Sequence, residues 1–168
     1  GAHLPSAMTR AILREHADLK CMISLGGFEE DSLVPLLSGG KQGGRDTPKL
    51  WNLYLWHAIG PTVLRWLTLG LVWKMDDVVL NAAIWADDIL IYAATRADLE
   101  SKLQSLSDAL CAFDLKFKEG GVSWMCDAAN NSAHGDIVLT EPGGSTIPIP
   151  YVDKMIVLGT CFDTSGTM

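Results

Sequence analysis

The chain has 168 residues, 48% hydrophobic and 20% charged, which excludes an intrinsically disordered chain and suffices for one domain with a real core. Asp and Glu number 20 against 13 Lys and Arg, a net charge of −7, and no basic block exists that would hold a nucleic acid by electrostatics alone. Cys21, Cys111, Cys126 and Cys161 form no CxxC pair and no metal spacing with His3, His16, His57 or His134, so reduced thiols in an intracellular protein are expected rather than a zinc site.

Along the chain, residues 8–16 read as a short amphipathic helix, separated from the next segment by Gly26-Gly27. No charged stretch followed by an apolar run opens the chain, so no signal peptide is expected. The stretch SGGKQGG, residues 38–44, is a glycine loop. Thr47 can cap a helix and Pro48 fits its first position. Trp51, Leu53, Tyr54, Leu55, Trp56 and Ile59 then predict a helix buried on most of its circumference, kinked or interrupted at Gly60-Pro61 before a second piece through Trp66. Asn52, His57, Arg65 and Lys74 make the same region a poor membrane span.

Residues 78–80 and 82–92, rich in Val, Ile, Trp and Tyr, read as strands, with Asp87-Asp88 at or near a hairpin turn and Asp76-Asp77 in a solvated turn before them. Thr95 to Asp98 resembles a capping box with Asp in place of Glu. Leu99, Leu103, Leu106, Leu110 and Phe113 form one apolar stripe and predict a helix whose stripe is core. Residues 115–117 and 122–125 are short strand candidates, 126–132 a polar loop, 137–139 a strand and 142–144 a turn. Two prolines confine residues 147–151 to an edge or a connector, and residues 156–159 read as a final short strand.

The chemistry concentrates in IWADDILIY, where Asp87 and Asp88 stand side by side in an apolar run. A carboxylate pair on a tight turn suits Mg²⁺, a hard cation that takes oxygen ligands, and a bound cation would neutralise charges set among buried strands. The plain alternative is that Asp is a common turn residue and two exposed aspartates need no ligand. Side chains alternate along a strand, so both acids serve one cation only if a turn redirects them. A two-metal site needs a further carboxylate from another strand, and neither Asp76-Asp77, Asp46 nor Asp18 is convincing in that role.

The order of motifs narrows the choice. GGKQGGRDTPKLWN, then IWADDILIY, then a leucine-striped helix, then LKF, then VLG resembles the palm of reverse transcriptases, especially those of non-LTR retrotransposons, over residues 38–166. Lys41, Gln42, Gly43, Pro48 and Asn52 match the family's basic residue, Gln and Gly, then Pro and Asn opening a long helix. The resemblance implies that Lys41, Gln42, Gly43 and Asn52 contact the incoming nucleotide and the template. Trp85-Ala86-Asp87-Asp88 stands for the family's Tyr-Ala-Asp-Asp box. It makes Asp87 the main catalytic metal ligand and Asp88 the supporting one, with Trp85 a substrate contact beside them. Leu115-Lys116-Phe117 looks like the start of the next motif, whose lysine is expected where Gly120-Gly121-Val122 stands, so that Lys116 and Lys118 are the nearest substitutes. Val157-Leu158-Gly159 resembles the primer-grip hairpin, with Leu158 and Gly159 against the primer 3′ end.

The resemblance implies an α+β fold, a palm-like antiparallel sheet with the helices near residues 50–69 and 99–113 on one face, incomplete. It also implies a single partial palm domain over residues 1–168, with residues 1–37 a helical lead-in and residues 38–168 bearing the motifs. The implied function is a fragment of a retrotransposon RNA-directed DNA polymerase, transferring nucleotides by two-Mg²⁺ catalysis, with Mn²⁺ as a substitute. Its partners would be an RNA template, a DNA primer, deoxynucleoside triphosphates and the rest of the polymerase, namely fingers, thumb and upstream palm, with no membrane, inside the cell, nuclear or cytoplasmic. The family's first catalytic aspartate lies on a strand upstream of the glycine loop, and residues 1–37 show no such strand, so the isolated chain is expected to be inactive. The alternatives are a non-catalytic relic or interaction module with a palm fold, and an unrelated α+β domain with an incidental turn.

Overall fold

A computed structural model describes residues 20–21, 24–25, 28–29, 34–35, 47–126 and 135–164. The chain divides into two compact units, residues 1–53 and 54–168. In the first unit β1 (Lys20–Cys21) pairs with β4 (Val34–Pro35), and β2 (Ser24–Leu25) pairs with β3 (Phe28–Glu29), both antiparallel. One hairpin is nested inside the other, so these contacts are local to the unit. The described part of the expected helical lead-in is therefore strand. The helix expected at residues 8–16 and the loop at 38–44 lie outside the described residues.

Helix α1 (Thr47–Thr68) begins at Thr47-Pro48, as the capping signals predict, but runs unbroken through Pro61. Proline removes one ladder bond and crowds the preceding turn, a cost of about 3 kcal/mol. Both halves of the helix bury side chains, Leu55, Ala58 and Ile59 before the proline and Val63 and Trp66 after it, and this burial offsets the loss. Gly60 is buried because the Trp56 indole lies against it, 2.9 Å from where a Cβ would stand. The expectation of burial on most sides is corrected: Leu53, Trp56, Leu64 and Leu67 are exposed. The helix ends at Gly70, whose φ of 70° lets the Leu71 N–H reach back to the Trp66 carbonyl at 2.9 Å.

Two hairpins come next. β5 (Trp73–Met75) pairs with β6 (Val78–Leu80) around Asp76-Asp77, and β7 (Ala82–Trp85) pairs with β8 (Asp88–Ile91) around Ala86-Asp87. Helix α2 (Arg96–Cys111) starts where the Thr95 hydroxyl accepts from the Asp98 N–H at 3.1 Å. Its predicted stripe is core: Leu103, Leu106 and Leu110 are buried. Leu103 packs with Trp124 and with Ile137, Leu139 and Ile149 from β9 (Ile137–Thr140) and β10 (Thr146–Ile149). Pro148 lies in β10, which among the described residues pairs on one side only, with β9, as its missing N–H requires.

Residues 115–117 and 122–125 form no strand pairs beyond one parallel bridge between Trp124 and Tyr151. The first segment leaves α2 through its cap, with the Leu115 N–H donating to the Leu110 carbonyl at 3.0 Å and Asp114 at φ 56°. The last hairpin joins β11 (Lys154–Val157) to β12 (Thr160–Asp163), so Leu158-Gly159, expected at the end of a strand, is a turn.

The class is α+β, with two helices and antiparallel strand pairs among the described residues. Among the described residues the pairs do not join into the single palm-like sheet expected; each is a two-stranded ribbon. Helix α2 packs on the β9–β10 ribbon and meets α1 through Trp66, whose indole N–H donates to Ser105 Oγ at 2.9 Å. Among the described residues no helix is long and apolar enough to cross a membrane.

Candidate functional site

Why two acids sit in the middle of an apolar run is answered by the β7–β8 hairpin. The apolar residues form its strands, with Ile84, Ile89, Leu90 and Ile91 half-buried, and the acids fall at its tip. Trp85 and Asp88 face each other in register across a two-residue loop, Ala86-Asp87. Ala86 takes φ 54°, a left-handed value that alanine disfavours. Asp87 and Asp88 are exposed, and Trp85 is 70% exposed beside them. Water solvates both carboxylates, so the burial cost that a bound cation was expected to offset does not arise.

The tip fits part of a cation site. It offers two adjacent carboxylates, the hard oxygen donors that Mg²⁺ and Mn²⁺ take. Among the described residues no group of three or more His, Cys, Asp or Glu comes together. Asp76-Asp77 is the exposed turn of a different hairpin, as expected, with Asp76 at φ 51°.

Trp85, Asp87 and Asp88 thus share one hairpin tip. Leu158 and Gly159 form the tip of another, where both take positive φ, 49° and 81°. Such turns favour Asn-Gly, and leucine there carries the left-handed penalty while exposed. Leu158→Asn is expected to raise stability by about 1 kcal/mol, read from the urea midpoint at unchanged slope. Asn52 is an exposed residue of α1 in the first unit, and Lys41, Gln42 and Gly43 lie outside the described residues. Lys116 lies 3.8 Å from Glu141 as a loose ion pair, and Lys118 comes after it in the irregular segment beyond α2.

The sequence reading missed Lys102. It is fully buried, with its ammonium 4.9 Å from the centre of the Trp66 ring. Burial pushes its pKa from the ordinary 10.5 down to about 8, with Asp98 pulling the other way. The signal was present: position 102 falls three residues after Leu99 and four before Leu106, on the face of the stripe.

No family model matches the chain, and no solved structure matches it. Over 90 residues, 54% of the chain, it is 33% identical to the "Retrovirus-related Pol polyprotein from type-2 retrotransposable element R2DM" of Drosophila melanogaster. The matched stretch covers 8% of that polyprotein. The chain is thus similar over part of its length to a retrotransposon Pol polyprotein, which supports a retrotransposon-related origin.

Proposed function

We propose that the chain is part of the palm of an RNA-directed DNA polymerase from a non-LTR retrotransposon. It acts in nucleotidyl transfer together with fingers, thumb and the upstream palm. The carrying observation is the tip itself: Trp85-Ala86-Asp87-Asp88 on a two-residue turn, both carboxylates open to solvent. The partial identity to a retrotransposon Pol polyprotein supports the same reading.

In this reading Asp87 is the main ligand of a divalent cation, Mg²⁺ or Mn²⁺, and Asp88 supports it. The remaining carboxylate of a two-cation site would come from the upstream palm. The primer 3′-hydroxyl would lose its proton to solvent and attack the α-phosphate of a deoxynucleoside triphosphate, a new P–O bond forming as the bond to pyrophosphate breaks; cations held by Asp87 and Asp88 would supply positive charge for this step. Trp85 offers an aromatic face beside the acids. Lys41, Gln42, Gly43 and Asn52 serve the nucleotide and template, and Leu158-Gly159 serves the primer end. With a net charge of −7 the chain itself repels nucleic acid, so cations and the basic surfaces of the remaining polymerase provide the attraction.

The test is primer extension on an RNA template with Mg²⁺, using a protein that joins this chain to the remaining polymerase regions. Loss of extension in Asp87→Asn with the fold retained supports the assignment. Unchanged extension removes it and leaves a non-catalytic module with this fold.

A further inference from the structure

The buried ammonium of Lys102 makes three hydrogen bonds, and all of them go to the feet of the β7–β8 hairpin. It donates to the Asn81 carbonyl at 3.2 Å, to Asn81 Oδ1 at 2.8 Å and to the Tyr92 carbonyl at 2.6 Å. Asn81 immediately precedes β7 and Tyr92 immediately succeeds β8, and the Tyr92 N–H donates to the Asn81 carbonyl at 3.0 Å. The ammonium therefore closes over the last rung of the ribbon. Asn81 Nδ2 extends the tie to α1 by donating to the Val63 carbonyl at 2.9 Å. An ammonium has three N–H bonds, and hydrogen bonds from a charged donor are roughly twice as strong as neutral ones. Trp66 closes the remaining side with its ring face.

An isolated two-stranded ribbon is marginal in water, so the pose of its tip depends on what holds its feet. Each strand is four residues long, which puts the acids about 14 Å beyond the grip at ~3.4 Å per residue. Over that length a small tilt at the feet becomes a large displacement at the carboxylates.

We propose that Lys102 is a positioning residue for Asp87 and Asp88: by gripping both feet of the hairpin it fixes the pose in which the tip presents its carboxylates to a divalent cation. The inference rests on the reading of the tip as a cation site. It assigns Lys102 no contact with substrate.

The experiment uses the 168-residue chain with Mn²⁺ as probe, reading its affinity by water-proton relaxation and the amide hydrogen exchange of residues 82–91. Asp87→Asn identifies the Mn²⁺ bound at the tip. Lys102→Met is expected to weaken that binding at least fivefold and to speed exchange across the hairpin at least tenfold, with protection in α2 and β9–β10 retained. A folded Lys102→Met whose tip binds Mn²⁺ like the wild type overturns the proposal, even if its exchange is faster, because Lys102 is then structural only. If Asp87→Asn binds Mn²⁺ like the wild type, the functional reading fails separately. The positioning role falls with it, and faster exchange in Lys102→Met then shows only that Lys102 holds the hairpin. Should Lys102→Met not fold, Asn81→Ala removes one acceptor and the tie to α1 while leaving the charge, and a two- to fivefold change in the same two readouts is expected. No change in that variant overturns the proposal.

Discussion

Asp87→Asn should cut Mg²⁺-dependent primer extension by the assembled polymerase at least about a hundredfold, since a ligand that places a catalytic cation is worth several kcal/mol in the transition state. The substitution removes one negative charge and keeps the side chain's size. Asp87 is exposed on a turn, so folding stability should move by no more than about 0.5 kcal/mol, and lost activity cannot be blamed on lost structure. The neighbouring hairpin supplies the control. Asp76 is also an exposed turn acid with positive φ, in the β5–β6 loop. Asp76→Asn should leave extension within about twofold of wild type if the effect belongs to the cation and not to general surface charge. Equal losses in both variants would remove the special role of Asp87.

The second large effect is on stability and comes from alkali. Lys102 has an ordinary pKa of 10.5 in the unfolded chain and about 8 in the fold, where burial disfavours the ammonium. Between those values the unfolded chain holds a proton that the folded protein has released. The unfolded state binds more protons there, so this group's contribution to stability rises with pH from about 8 to 10.5 and is constant below. The full change is on the order of 3 kcal/mol, and the three hydrogen bonds to the ammonium reduce it because they favour the charged form. Tyr151 acts oppositely. Burial first, then nearby Cys126 and Asp153, raise its pKa, so above its ordinary value of 10.0 the folded protein keeps a proton that the unfolded chain loses, and stability falls. The measurement is therefore a difference. Urea unfolding of wild type and Lys102→Met at pH 7.5 and pH 10 should show the wild type gaining on the variant. A gap independent of pH would mean that Lys102 keeps its ordinary affinity for protons in the fold.

The two acids were legible as a turn because strong strand formers flank them on both sides and Asp breaks such runs. Helix α2 was legible because Thr95 and the leucine stripe agree. The unbroken helix through Pro61 was not legible because the proline's local penalty is fixed, whereas the burial of Trp66 that helps outweigh it depends on α2, far along the chain. Leu158-Gly159 lacks the Asn-Gly signature of its turn, so its two positive φ values left no local trace. At the site, the tip was visible and its support was not. The partners of Lys102 lie 10 and 21 residues away, and a lysine in an apolar stripe says that something must compensate its charge without saying what. That the strands pair in twos likewise comes from contacts that no local pattern encodes.

Ala86 holds a left-handed backbone one residue before Asp87, at a cost of about 1 kcal/mol that glycine would not incur. A selection for heat tolerance alone would therefore favour glycine at this position. The same exchange would widen the range of angles open to the residue on which the direction of the acid depends. Robustness of the whole chain and accuracy of the tip pull against each other at a single methyl group.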